Sequence, residues 1–410
     1  MPSQRRLYAI LTAVACIFAL ALALRQPISD PMPGYLDDLR EWAATGHIAD
    51  TFTPLAYPLF AAPAYRIAGL RGVALLQAAL LLALFAISIK TLRELQLPAR
   101  WAALGALLIL FHPDLFLSVA KIWDVALSTT LLLLIVLLAL ARRGPAIALA
   151  LGVAFGCGLF CRPNYIFLAA PILYALLTAP SPPAPRPAAP RALAAFAAIL
   201  ATAALVFALL GAAAHGRPFL PRNGPYNLYA GNNPYTAATL WTSLNAETSI
   251  YPAFNQAYPG LAPTADYTPA YTAFFYSPAL EPLYTRQSLL FARAHPVQEA
   301  RLIALKAFTL FRPDTKVHPL RSFAGLLKLV LALPAALLLT LLLLPGRPAL
   351  ARPDRLLFLV YAAYILPFLL TNSDPRFRTP LDALLLLHIV RLLFLRLSHR
   401  TPAPVPLAPF

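Results

Sequence analysis

The stretch YLDDLREW, residues 35–42, gathers Asp37, Asp38 and Glu41 in a chain with only 16 acidic residues among 410. A carboxylate positioned against a hydroxyl can take its proton, so such a cluster is a candidate general base. Leu36, Leu39 and Ala43 fall at helical spacing and form an apolar stripe. Asp37 and Glu41, four apart, share the polar face, while Asp38 turns about 100° from Asp37 towards Trp42. The pattern predicts a short helix lying in a membrane interface with Trp42 as anchor, and its acids equally suit a merely solvated side. Neighbouring carboxylates on one helix diverge. That argues against the facing pair, about 5–10 Å apart, that glycoside hydrolysis uses.

A second group of charges lies in FHPDLFLSVAKIWDVALSTT, residues 111–130, where Pro113 interrupts an apolar run and leaves Asp114, Lys121 and Asp124 between two spans. Ionisable groups at such a depth are costly and are functional candidates, with a weak Lys121–Asp124 surface pair as the plain alternative. Arg162 in CRPNY and Arg376 and Arg378 in SDPRFRTP bring guanidinium groups whose planar fork suits phosphate oxygens, or which snorkel to lipid headgroups. RPFLPRNGPYNLYAGNNPYT, residues 217–236, reads as an irregular, aromatic-lined segment rich in Tyr, Asn and Gly. That composition suits sugar or peptide contact, or simple packing. His112, His215, His295 and His318 stand singly and read as ordinary loop residues. No stretch has metal-ligand spacing, although a divalent metal stays open. Cys16, Cys157 and Cys161 form no disulfide framework and read as small buried apolar residues.

The elements that must hold these groups are membrane helices. The chain is 60% hydrophobic and 12% charged, against about 25% charged in soluble domains. A bilayer is crossed by about 17–25 apolar residues, and apolar segments near or within that length recur at about 7–24, 70–89, 101–119, 125–141, 146–161, 165–179, 192–214, 323–344, 356–372 and 380–395. The expected fold is an all-α polytopic membrane protein of about ten spans. Residues 1–397 make one domain, with large loops over 25–69 and 213–322, a Pro-rich connector over 180–191 and a tail over 398–410. The first span reads as a retained helix, since LRQPISD offers no A-x-A cleavage site. Residues 53–69, with Pro54, Pro58 and Pro63, read as an irregular return to the membrane. The short loops with Arg5 and Arg6, Lys90, Arg93 and Arg100, Arg142 and Arg143, Arg186 and Arg191, Arg347, Arg352 and Arg355, and Arg396 and Arg400 all fall on one side. By the positive-inside rule that side is cytoplasmic. Both termini then face the cytoplasm, and nearly all acids and both large loops face outward. The net charge of +17 therefore implies no nucleic-acid partner.

In order, these motifs resemble the GT-C class of membrane glycosyltransferases, specifically bacterial relatives of protein O-mannosyltransferases and lipid A aminoarabinose transferases. DDLREW followed by PLAYP is similar to that family's first outer loop. WDVALSTTLLLLIVLLAL is similar to its acid-led span, GVAFGCGLFCRPNY to its Gly-rich span ending in Arg-Pro, NGPYNLYAGNN to its Gly-Asn-Leu-Tyr stretch, and RFRTP to the Arg-x-Arg-x-Pro that opens a late span. The likeness covers about residues 30–395. The chain departs from the pattern in its small size and in having Trp42 where the family usually has Tyr.

The resemblance implies an extracytoplasmic active site in the inner (plasma) membrane that moves a sugar from a polyprenyl-phosphate carrier to an acceptor hydroxyl, without a cofactor. It implies Asp38 as base with Asp37 as runner-up, and Asp124 orienting the acceptor or tuning the base. Arg162, Arg376 and Arg378 would hold the phosphate, with Lys121 a weaker candidate and Tyr57, Asn227 and Asn232 as substrate contacts. The acceptor stays open among protein, lipid A and another glycan. Rival expectations are a transporter or flippase, a non-catalytic scaffold, and a ligase or polymerase drawing on a diphosphate carrier.

Overall fold

The computed structural model describes residues 2–25, 34–49, 52, 54–141, 144–178, 189–218, 220–242, 246–262, 269–312, 323–343 and 350–400. Asp30, Asp50, Asp266, Asp314, His318, most of the 180–191 connector and residues 401–410 lie outside the described part. Among the described residues the chain is helical throughout and has no strand. Its first half runs α1 (Pro2–Arg25), α2 (Tyr35–Thr45), α3 (Ala56–Glu94), α4 (Ala99–Leu110), α5 (Pro113–Leu117), α6 (Val125–Leu140), α7 (Pro145–Cys161), α8 (Ala169–Thr178) and α9 (Ala189–His215). Shorter helices follow: α10 (Asn223–Gly231), α11 (Thr236–Thr242), α12 (Ile250–Ala257), α13 (Pro269–Phe275), α14 (Glu281–Ala294) and α15 (Pro296–Phe311). The chain closes with α16 (Phe323–Leu343), α17 (Arg352–Leu370) and α18 (Thr379–Arg400).

Every apolar run marked in the sequence falls on a helix or a pair of helices. By length and composition, α3, α9 and α17 can each cross a membrane, and α4 joined to Pro113–Ala120 makes a fourth, bent by 55° where Pro113 breaks it. The run 165–179 is divided between a 3-10 stretch, Pro163–Leu168, and α8. A continuous apolar core joins α1, α3, α4, α6, α7, α8, α17 and α18. Small residues set the close crossing of α7 and α9. A Cβ on Gly156 would sit 2.6 Å from the Ala203 carbonyl oxygen, and one on Gly152 2.6 Å from Thr202 Cβ. In this way α7 and α9 approach closely enough for backbone contact.

Three expectations need correction. Residues 56–67 are helical, not irregular. Pro58 falls in the first turn, where its missing N–H had no intrahelical acceptor anyway. The helix tolerates Pro63 and breaks further on, at Ala68 and Gly69, where Gly69 adopts φ +59°. Within 217–236, residues 223–231 form helix α10 and Thr236 opens α11, so the middle of the stretch is helical rather than irregular, while residues 232–235 stay non-helical. Cys161 is buried and Cys157 half-buried, as expected for small apolar residues, but Cys16 is exposed.

Candidate functional site

Helix α2 separates its two aspartates. Asp37 is exposed and lies 3.5 Å from the exposed Arg40, a pair worth little. Asp38 is buried at 6% exposure, beside Tyr35 and Leu39 on the inward face. Gly46 closes the helix by donating its N–H to the Trp42 carbonyl, and Trp42 Nε1 donates across to the Ala213 carbonyl at 3.5 Å. Glu41 accepts from the Ala49 N–H at 3.2 Å, which folds the chain back over the helix. Tyr57 is buried, its ring 5.7 Å from that of Tyr35. One apolar cluster packs Tyr35, Leu39 and Tyr57 with Ile122, Ala126, Phe160 and Cys161. Asp38, Asp124 and Arg162 are thus sequence neighbours of residues in one packed unit.

Asp124 and Arg162 form a buried ion pair, with Arg162 Nε donating to Asp124 Oδ2 at 2.9 Å. Asp124 does not pair with Lys121, whose ammonium instead sits 5.1 Å from the Trp123 ring centre. Arg162 also donates to the Tyr364 hydroxyl at 3.2 Å and lies over the Phe377 ring at 5.9 Å. Tyr364 passes the connection on, donating to the Phe377 carbonyl at 2.9 Å. The start of α6, the end of α7, the middle of α17 and the RFRTP stretch therefore meet at one guanidinium. A carboxylate this close holds Arg162 charged in apolar surroundings, and the rest of its donor fork is suited to a further anion.

Arg378 is buried and donates to Asp382 Oδ2 at 2.9 Å and to the Leu310 carbonyl at 3.2 Å. The side chain of Arg376 lies outside the described part. His112, expected to be an ordinary loop residue, is buried with Nε2 3.7 Å from Asp382 Oδ2. Asp114 accepts from the Thr379 hydroxyl at 3.2 Å. The break between α4 and α5 is thereby tied to the first turn of α18. Sequence reading missed Asp382 and His112 as partners, since nothing local joins positions that far apart.

The Asn-rich stretch is a packing element. Asn232 is buried, donating to the carbonyls of Leu228 at 2.7 Å and Leu370 at 2.8 Å, and its Oδ1 accepts from Lys306 Nζ at 2.8 Å. Asn233 donates to the Tyr229 carbonyl at 2.7 Å and to the Ser249 hydroxyl at 2.6 Å. Asn227 is half-buried. Lys306, also missed, has no exposed side chain. It donates to the Leu369 carbonyl at 3.0 Å and lies 3.7 Å from Glu299. Burial pulls its ammonium down from an ordinary 10.5 to about 8, with Glu299 pulling the other way. One signal existed, because Lys306 falls on the buried stripe of α15 with Leu302, Thr309 and Leu310. Behind this loop, burial raises the phenols of Tyr229 and Tyr284, whose rings stack 5.3 Å apart.

A second buried network joins α17 and α18. Asp354 Oδ1 accepts from Arg391 Nε at 2.8 Å and lies 3.3 Å from His388 Nε2, while His388 Nδ1 meets the Tyr361 hydroxyl at 3.0 Å. Arg391 also donates to the Leu95 carbonyl, tying in the end of α3. Among the described residues no three His, Cys, Asp or Glu side chains group as a metal site. Compared with protein families, curated proteins and solved structures, the chain matches none.

Proposed function

We propose that this chain is a multi-pass membrane glycosyltransferase of GT-C type, which transfers a sugar from a polyprenyl-phosphate donor to an acceptor hydroxyl outside the cytoplasm. In this reading about ten helices cross the inner membrane, both termini are cytoplasmic, and the 25–69 and 213–322 loops face outward. The observation that supports it is the inward burial of Asp38 on α2, in the same packed unit that flanks the Asp124–Arg162 pair.

Asp38 takes the proton of the acceptor hydroxyl as that oxygen bonds to the anomeric carbon. The bond from that carbon to the carrier's phosphate oxygen breaks, and its electron pair leaves with the phosphate. Guanidinium groups stabilise the charge gained there. Arg162 is the main candidate, because its fork is anchored through Nε and one Nη, so less entropy is lost when a phosphate binds. Asp124 holds that fork, while Arg378, engaged by Asp382, and Arg376 lie along the RFRTP stretch.

The test is sugar transfer by membranes carrying Asp38→Asn or Asp37→Asn, read as labelled sugar leaving the polyprenyl-phosphate pool at matched protein levels. Loss of a general base costs about 10²–10⁴-fold, so Asp38→Asn is expected to fall by that factor and Asp37→Asn to stay near wild type. Wild-type rates in Asp38→Asn would end the assignment. Release of a lipid diphosphate rather than a monophosphate would move the protein to the ligase or polymerase class.

A second reading, transport, draws on His388 and Arg391, which lie within the apolar α18 and meet Asp354 in the first turn of α17, because ionisable groups inside apolar helices commonly mark ion or substrate paths. It predicts solute or glycolipid movement in proteoliposomes that Asp354→Asn abolishes and Asp38→Asn spares.

A further inference from the structure

Helices α14 and α15 sort their charges by side. Their two acids turn inward, Glu281 to Arg222 at 3.4 Å and Glu299 to Lys306 at 3.7 Å. Arg286, Arg293 and Arg301 are left exposed, with no ion-pair partner among the described residues. The inward face is fixed by Tyr284, Ser288 and Phe291, with Tyr284 stacked on Tyr229. That arrangement forces Leu289 and Leu290 outward, at 50% and 47% exposure.

Arg286, Leu289, Leu290 and Arg293 fall at i, i+3, i+4 and i+7, one face of a helix, with the arginines about 10 Å apart along its axis. Between them lies a shallow concavity of 560 Å³, lined by these four residues with Pro282 and Thr285. An apolar floor between two guanidinium groups suits an amphiphile whose head is anionic and whose body is hydrocarbon. Arginine forks bind phosphate oxygens in pairs, and leucines on such a face enter the boundary between headgroups and acyl chains. In water this face would leave large apolar side chains exposed and two like charges uncompensated. In a bilayer interface both faults are removed.

We infer that the outer face of α14 lies in the bilayer interface and binds the phosphate headgroup of an anionic phospholipid between Arg286 and Arg293. The inference stands apart from sugar transfer, since it requires only that the chain is embedded in a bilayer.

The test uses the full chain with Leu290→Trp in lipid nanodiscs, its fluorescence compared with that of the unsubstituted protein. Acyl-brominated phosphatidylglycerol or acyl-brominated phosphatidylcholine is added at equal mole fraction, with the balance unbrominated phosphatidylcholine. The added tryptophan is expected to be quenched by both and more strongly by phosphatidylglycerol, reflecting local enrichment of about fivefold per arginine. Arg286→Gln with Arg293→Gln is expected to abolish that preference while leaving quenching by phosphatidylcholine. Absence of quenching by either lipid would overturn the inference, and with a cross-link at position 290 between two chains it would assign the face to a second copy. Equal quenching with both arginines present would refute headgroup recognition. Loss of the preference on adding inorganic phosphate would assign the arginines to a soluble anion instead.

Discussion

Lys306 gives the sharpest thermodynamic test. Its ammonium is fully buried between Asn232 Oδ1 and the Leu369 carbonyl, with a folded-state pKa of about 8 against an ordinary 10.5. The unfolded chain therefore binds more protons than the folded one between those values, and stability rises with pH across that window. At about 1.4 kcal/mol for each pH unit of the gap, the charged lysine costs the fold about 3 kcal/mol. That cost is fully present below pH 8 and relieved as the pH approaches 10.5. Lys306→Met removes the titration but leaves two buried acceptors without their donor, a loss of about 1–3 kcal/mol each. At neutral pH the two effects nearly cancel, so the pH profile is the diagnostic quantity. The assay is denaturant unfolding in detergent micelles from pH 7 to 10.5, with wild type and Lys306→Met measured in parallel so that other titrating groups drop out. The stability difference between them is expected to shift in favour of wild type by about 3 kcal/mol across the range. A constant difference would show that Lys306 titrates as it would in water and would refute the burial argument.

Two other perturbations test the packing. Arg162→Met leaves Asp124 buried without its cation and is expected to cost about 3–5 kcal/mol, whereas Arg162→Met with Asp124→Leu recovers most of it; additive losses in micelle unfolding would mean the pair is not coupled. Gly231→Ala would bring a methyl carbon 1.7 Å from the Thr371 carbonyl oxygen, a backbone atom that cannot swing aside. A loss above about 3 kcal/mol is expected, while Gly224→Ala, with open space around its Cβ, stays neutral or gains slightly; equal melting temperatures for the two variants would contradict the close approach of α10 to the end of α17.

What the sequence made legible follows from local physics. Apolar runs marked α1, α3, α4, α6 to α9 and α16 to α18 but neither α14 nor α15, and Pro113 marked the break after α4. The proline rule misled at 53–69, because it ignores position within a helix, and Pro58 occupies the first turn. The stripe Leu36, Leu39 and Ala43 located the α2 helix but not its buried face, which centres on Tyr35, Asp38 and Leu39. Spacing analysis assigns carboxylates to water, so it cannot see one turned inward by its neighbours. Arg162 and Asp124 were each marked by type and depth, yet their pairing across 38 positions arises only when α6 and α7 pack. Asn232 was read as a contact for substrate, whereas its amide bonds two carbonyls and an ammonium, a role that composition cannot distinguish.

The kink in α3 bears on how the chain fits a lipid bilayer. At 39 residues α3 would be about 58 Å long if it were straight, close to twice the hydrocarbon thickness of about 30 Å. A straight rod of that length would need a steep tilt or would push an apolar end out into water. The break at Ala68 and Gly69 divides it into a segment from Leu70 that matches the thickness and a shorter one that can lie along the surface. The break thus suits a bilayer of that thickness, and any side chain at Gly69 that straightened the helix would take the Tyr57 ring away from that of Tyr35, now 5.7 Å from it.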